Sequence, residues 1–274
     1  MASLAFPLRQ TVLPIVGNKA MKLNFPVRRI YCVGQNYDSH AREMGGSTCR
    51  HKPFFFCHPT DSLATDVDNH GSADAAITIH YPPLTESYHH EVELVVALGP
   101  PAEDATISWT DARNTEGLRY TNVAVERAHE IILGYAVGLD MTRRDMQSQA
   151  KVNHQPWDLA KGADEGAVVS PLVLASDLKE AHPELFMDFN QNPSNTVRSG
   201  EMFLDVNKNE RQRGNLSCMV SPVSELIAHL SKAVALRPGD IIFTGTPSGV
   251  GAVRAGDVIV AGIHGIGTLT VTVA

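Results

Sequence analysis

The chain has 274 residues, 43% hydrophobic and 19% charged, which suits one large soluble domain or two small ones with a sizeable core. A formal net charge of −7 and the lack of a basic stripe exclude a nucleic-acid partner. No window approaches about 18 uninterrupted apolar residues, so no membrane span or membrane partner is expected. The four cysteines, Cys32, Cys49, Cys57 and Cys218, form no Cys-x-x-Cys and no zinc-type spacing with histidine. They read as reduced thiols of a cytoplasmic protein, with mitochondria as the alternative.

Residues 1–37 hold five basic residues and no acid, a composition shared with organelle transit peptides. Pro7, Pro14 and Pro26 interrupt any amphipathic helix there, and Thr11 to Val16 reads as extended. Residues 1–28 are therefore expected to form an arm packed on a single domain, 29–274. Arg29 to Gly34 is a first core strand. A short helix follows over Tyr37–Met44, with Asn36 as its cap. Phe54-Phe55-Phe56 is a β-prone run stopped by Pro59. After the turn-rich stretch 61–87 comes a strand from Glu91 to Leu98, ended by Gly99-Pro100-Pro101. Residues 101–123 read as an excursion and Val125–Ile132 as helical. Gly134–Leu139 is a strand ending at Asp140, with a helix starting over Met141–Ala150. Residues 183–200 form a surface loop, and Met202–Val206 returns as strand. Ser221-Pro222 opens a helix whose Val223, Leu226, Ile227 and Leu230 make one buried stripe. Strands Ile241–Thr244, Val258–Ile263 and Thr268–Val273 complete the chain. Strands outweigh helices and do not alternate with them regularly, which predicts a mostly β, α+β fold with an antiparallel or mixed sheet.

Successive side chains of a strand face opposite ways, so Glu91 and Glu93 share one face, at the mouth of the apolar run Leu94–Leu98. Paired carboxylates repel and resist burial, and a divalent cation reconciles them. The plain alternative is two solvated glutamates at a strand edge. Asp140 also ends an apolar strand, with Arg144 and Gln147 at helical spacing beyond it. Its alternative is an aspartate complementing a helix dipole. Three oxygen ligands without a thiolate favour Mg²⁺ or Mn²⁺, with Ca²⁺ as a further option, over zinc. His40 and Glu43, at i and i+3, form either an oriented general base or a surface pair. Lys161, between Ala160 and Gly162, is either a substrate or oxyanion partner or a solvated lysine. The run Gly245-Thr246-Pro247-Ser248-Gly249-Val250-Gly251 is neither a Walker loop nor a nucleophile elbow. Its glycines let backbone amides approach an anion, or else form a tight turn.

Five segments in order carry a resemblance: Val33 to Glu43, His90 to Val95, Gly134 to Gln147, Leu159 to Gly162, and Gly239 to Gly251. The chain resembles the fumarylacetoacetate hydrolase superfamily and, within it, the acylpyruvate hydrolases of fumarylpyruvate type. The resemblance implies a mixed β-sandwich roll with few short helices, commonly a homodimer. It implies Mg²⁺ or Mn²⁺ held by Glu91, Glu93 and Asp140. It makes His40 and Glu43 a water-activating dyad on a lid helix and puts Arg144, Gln147, Lys161 and Thr246 around substrate or metal, with Lys161 or Gln147 to stabilise an oxyanion. In relatives a lysine before the proline of the Phe-Phe-Phe run helps hold the substrate's anionic end; here that position is His58. Lys208 replaces a common turn glycine. The implied activity is metal-dependent hydrolysis of a C–C bond in a small-molecule keto acid, a 2,4-diketo acid such as fumarylpyruvate, giving pyruvate and a carboxylic acid. Oxaloacetate decarboxylation or tautomerisation, unsaturated keto-acid isomerisation or hydration, and non-catalytic metal binding are the alternatives.

Overall fold

The computed structural model describes residues 6, 10–16, 23–44, 52–66, 76–101, 117–188 and 190–274. Cys49, most of the arm before Gln10, and the excursion over 102–116 lie outside them. Among the described residues, ten strands make the larger sheet. Its path runs Asn24–Pro26, Val12–Val16, Leu172–Leu174, Ile132–Asp140, Val92–Leu98, Asp240–Phe243, Arg29–Gly34, Phe54–His58, with Ala167–Val169 and Leu63–Ala64 branching off. Asp240–Phe243 lies parallel to Arg29–Gly34 and antiparallel to Val92–Leu98, so the sheet is mixed, as the sequence predicts. A second sheet orders Asn209–Asn215, Glu201–Val206, Val258–Ile263, Gly267–Val273 and Ala76–Ile79.

The apolar run Val92–Leu98 is continuous because both faces of its strand are covered. Leu94, Val96 and Leu98 enter the core shared with Met202, Leu204, Ile259 and Val271 of the second sheet. Val95 and Ala97 point the other way, into a cluster with Ile30, Cys32, Ala136 and Phe243. The fold is thus mostly β with five short α-helices among the described residues. The longest is Val223–Ala233, whose Val223, Leu226, Ile227 and Leu230 are buried as their spacing requires.

Several local expectations change. The first helix is Asp38–Glu43, and Asn36 does not cap it. Its side-chain amide instead donates to the carbonyls of Ser221 (3.0 Å) and Thr244 (2.8 Å), while its Oδ1 accepts from Ser221 N–H at 2.8 Å. A buried amide with three such partners outcompetes a solvent-side cap. Ser221 is likewise no cap, since Pro222 holds that position and Ser221 is tied to Asn36. Glu91 falls between strands Tyr88–His90 and Val92–Leu98 instead of opening one strand. Beyond Asp140 the chain makes a short strand, Thr142–Arg143, before the helix Arg144–Val152. Val125–Ile131 is a 3₁₀ segment, and the loop after residue 182 opens with a 3₁₀ turn, Pro183–Phe186. The arm contributes its strand Val12–Val16 to the larger sheet, parallel to Leu172–Leu174.

Asp240 anchors the central parallel pair. Its fully buried carboxylate accepts from Arg29 Nε (2.9 Å) and Nη2 (2.6 Å), and from the backbone N–H of Arg237 (2.8 Å). Removing the carboxylate strands the guanidinium, which is 31% exposed and so partly rescued by water. Asp240→Ala is expected to lower unfolding free energy by about 2–3 kcal/mol in urea titration, with Asp240→Asn losing less.

Candidate active site

Strand register builds the acidic centre. Glu93 pairs with Gly138, so Asp140, two residues on, projects from the same face. The N–H of Asp140 donates to the Glu91 carbonyl at 2.9 Å, which brings the residue preceding the strand alongside. Glu91, Glu93 and Asp140 thus offer oxygens that all lie within 4.8 Å of one another, each from a buried residue. Burial raises the Glu93 carboxyl well above its usual range, and the neighbouring Asp140 and Glu91 add to the rise. Burial also opposes ionisation of Glu91, but Lys161 and Arg144 outweigh it and hold that carboxyl below its usual range. Asp140 Oδ2 is buried, with Lys161 Nζ 2.8 Å away as its ion-pair partner.

These features fit a divalent cation. Three carboxylates face only two cationic side chains, Lys161 and Arg144, and Glu93, whose carboxyl is pushed up by burial and by its neighbours, is the one that a further cation would let ionise. Cys32, His58 and Asp140 form a second, softer group with ligand atoms within 4.8 Å. Burial keeps the Cys32 thiol well above its usual pKa, hence protonated, so the all-oxygen group is the better cation site.

The cleft beside the carboxylates is walled by His40, Gln35 and Met44 on one side and by Phe54, Phe56 and Trp157 on another. Arg144, Gln147, Lys151, Lys161 and Thr246 close it. Lys161 Nζ reaches Glu91 Oε2 at 2.8 Å and lies 5.0 Å over the Phe56 ring. Burial works against its charge, yet Asp140 and Glu91 raise its pKa and keep it an ammonium. Arg144 Nη2 pairs with Glu91 Oε1, and Nη1 donates to Gln147 Oε1 at 2.7 Å. His40 is buried, with Nδ1 3.4 Å from Glu43 Oε2. Burial lowers its pKa more than Glu91 and Glu43 raise it, so the ring is neutral at pH 7.

The glycine-rich run is an anion-holding loop whose anions belong to the protein. Gly245 donates its N–H to Glu93 Oε2 at 2.6 Å, and Gly249 donates to both Glu43 oxygens at 3.1 Å. Gly245 has φ +97°, and a Cβ there would stand 2.7 Å from Asn36 Cβ, so only glycine serves.

Nine of the ten residues singled out from the sequence meet in or beside this cleft: His40, Glu91, Glu93, Arg144, Gln147, Lys161 and Thr246 line it, while Asp140 and Glu43 support it. His58 does not reach the cleft. Its side chain is fully buried behind Asp140, with Nε2 2.8 Å from Asp140 Oδ1 and Nδ1 3.4 Å from Ser62 Oγ. A histidine is too short to pass the carboxylate and meet a ligand beyond it. Sequence reasoning missed Gln212. It is fully buried, pairs with His90 Nδ1 (2.9 Å), and donates to Thr246 Oγ1 (2.8 Å) and the Pro247 carbonyl (2.9 Å). Nothing in Arg211-Gln212-Arg213 marks the middle residue, beyond its inward parity in the strand Asn209–Asn215.

The chain matches the family described as fumarylacetoacetate (FAA) hydrolase C-terminal over residues 29–115 and 116–274. It is 39% identical over 200 residues to a fumarylpyruvate hydrolase of Ralstonia sp., covering 73% of this chain and 86% of that protein. It is 35% identical over 238 residues to the mitochondrial oxaloacetate tautomerase FAHD1 of Arabidopsis thaliana, covering 87% of each. The crystal structure of fumarylpyruvate hydrolase from Pseudomonas aeruginosa in complex with Mn²⁺ and pyruvate superposes with a TM-score of 0.81 at 37% identity, covering 100% of this chain and 99% of that one. The family match spans residues 29–274, and both relatives exceed 30% identity over more than two thirds of each chain, so the protein belongs to the fumarylacetoacetate hydrolase family.

Proposed function

We propose that the protein is a divalent-metal-dependent hydrolase that cleaves the C–C bond of a 2,4-diketo acid of the acylpyruvate type, giving pyruvate and a carboxylic acid. The observation that carries this is a neutral, carboxylate-oriented imidazole, His40, in the same cleft as the three-carboxylate cluster. The similarity to the fumarylpyruvate hydrolases of Ralstonia sp. and Pseudomonas aeruginosa supports the substrate class.

Glu91, Glu93 and Asp140 would hold Mg²⁺ or Mn²⁺. When bound, that cation supplies Lewis-acid stabilisation of the negative charge on the substrate's carboxylate and on the enolate that leaves. With Lys161 and Arg144 beside them, the three carboxylates and a bound divalent cation would leave the centre net positive, which suits an acidic substrate. Glu43, fixed by the Gly249 N–H, favours the His40 tautomer with the proton on Nδ1. Nε2 then takes a proton from water, and the hydroxide adds to the distal carbonyl. The bond between that carbon and the methylene breaks, its electron pair passes to the pyruvate enolate, and a proton completes the methyl group. Lys161 and Arg144 keep Glu91 ionised throughout, and Gln147, steadied by Arg144, offers its amide toward the cleft. The free thiols Cys32, Cys57 and Cys218 support a reducing, cytosol-like compartment.

A second reading, keto–enol tautomerisation of oxaloacetate, draws on the comparably similar tautomerase. His40 would then move a proton between carbon and oxygen without adding water. Incubating the Mg²⁺-loaded protein with fumarylpyruvate, acetylpyruvate and oxaloacetate, with product identification, separates the two. Pyruvate formed from an acylpyruvate supports hydrolysis. Interconversion of oxaloacetate tautomers without cleavage of any acylpyruvate overturns it.

His40→Ala is expected to lower kcat by about 10²–10⁴-fold. The reacting form of His40 is neutral, and burial lowers its pKa. The rate kcat/KM should therefore fall on the acid side, below the ordinary histidine range. Glu43 raises that pKa, so Glu43→Gln should move the acid limb to still lower pH while slowing the plateau.

His58→Ala removes the hydrogen bond that fixes Asp140 Oδ1. Mn²⁺ affinity, read by paramagnetic titration without substrate, is expected to weaken by about 10–100-fold, while His58→Gln retains part of it.

A further inference from the structure

Outside the cleft, the 3₁₀ turn Pro183–Phe186 meets the hairpin turn between strands Val258–Ile263 and Gly267–Val273. His182 Nδ1 lies 3.0 Å from Glu184 Oε1, and His264 Nε2 lies 3.6 Å from the same oxygen. The two imidazole rings stand 5.7 Å apart, centroid to centroid, at 72°. The three side chains offer ligand atoms within 4.8 Å of one another, and none of them lines the cleft. We propose that His182, Glu184 and His264 form a surface site for a transition-metal ion of the Zn²⁺ class, separate from the all-carboxylate site.

Geometry comes first. Tetrahedral ligands about 2.0–2.1 Å from zinc lie about 3.3 Å from one another. The two observed separations, 3.0 and 3.6 Å, bracket that value, so small rotations of the side chains suffice. The ligand set comes second. Two imidazoles and one carboxylate suit Zn²⁺, Co²⁺, Ni²⁺ or Cu²⁺ and are a poor set for Mg²⁺. The side chains are 35%, 55% and 64% exposed, so water can complete the coordination and the ion can enter directly.

The backbone holds this cluster in place. The His182 carbonyl accepts from Leu185 N–H at 3.1 Å, the Glu184 carbonyl accepts from Ser199 Oγ at 2.8 Å, and His264 N–H donates to the Glu201 carbonyl at 2.9 Å. A Cβ on Gly265 would stand 2.9 Å from His182 Cγ, so the bare turn is what leaves space for that ring. Such prior positioning lowers the ordering cost of binding. A metal here would staple the 182–200 excursion to the second sheet, joining residues 82 positions apart in the chain (264 − 182 = 82).

The test uses full-length protein with Mg²⁺ in large excess to occupy the carboxylate site, titrated with Zn²⁺ in a calorimeter. Wild type is expected to take up one more equivalent of Zn²⁺ than H182A/H264A, and Zn²⁺ should raise the melting temperature of wild type but not of the double variant. Glu184→Gln should weaken the same uptake. Co²⁺ in place of Zn²⁺ should give a visible absorption band in wild type that H182A/H264A lacks and that Glu184→Gln weakens. Unchanged Mn²⁺ affinity at the carboxylate site verifies that the variants are folded. Equal Zn²⁺ uptake by folded wild type and H182A/H264A overturns the proposal.

Discussion

Three carboxylates are buried together, two on one face of the larger sheet and Glu91 just before its strand, and that burial constrains most of what surrounds them. Buried carboxylates repel, and each loses hydration. The chain answers from several separate segments: an ammonium from Lys161, a guanidinium from Arg144, an imidazole from His58 and a backbone amide from Gly245. The four compensations are unequal. Glu91 pairs directly with both Lys161 and Arg144 and stays ionised, while Glu93 is held by the Gly245 amide, and burial with its carboxylate neighbours pushes its carboxyl up. The unequal treatment makes Glu93 the carboxyl least able to ionise unaided, and so the one for which a cation has most to contribute.

The sheet delivers this arrangement through register. Glu93 and Asp140 come from antiparallel neighbours whose pairing places Gly138 opposite Glu93. A one-residue slip would turn Asp140 into the opposite core. The hydrophobic alternation of Val95 and Ala97 against Leu94 and Val96 therefore specifies the active-site geometry as well as the fold. Stability and chemistry share one set of residues here, and the buried Asp240–Arg29 pair fastens the next two strands.

Legibility in the sequence followed the range of the interactions. Strand identity, the helix stripe of Val223, Leu226, Ile227 and Leu230, and the side-by-side placement of Glu91 and Glu93 depend on neighbours in the chain, so period alone reveals them. The convergence of Glu91, Glu93 and Asp140 needed the resemblance, because pairing between distant strands leaves no local trace. Asn36 and Ser221 misled for the same reason. Both are good caps by local rules, and both are claimed by each other across 185 residues. His58 shows the limit differently: its identity was visible, but its depth, which decides that it touches Asp140 and not the cleft, was not. Gln212 gave no sign, since a polar residue between two arginines reads as surface until its strand packs against His90, Thr246 and Pro247.

The glycine-rich loop grips two residues with different duties. Gly245 holds a candidate metal ligand, and four residues later Gly249 holds the partner of the candidate base. One short backbone segment thus sets both the cation cage and the proton acceptor. Any displacement of the loop, through Pro247, Thr246 or the Gln212 brace beneath them, shifts both at once. Selection on this loop acts on a composite trait, and drift in cation preference and drift in basicity should travel together through descendants of this sequence.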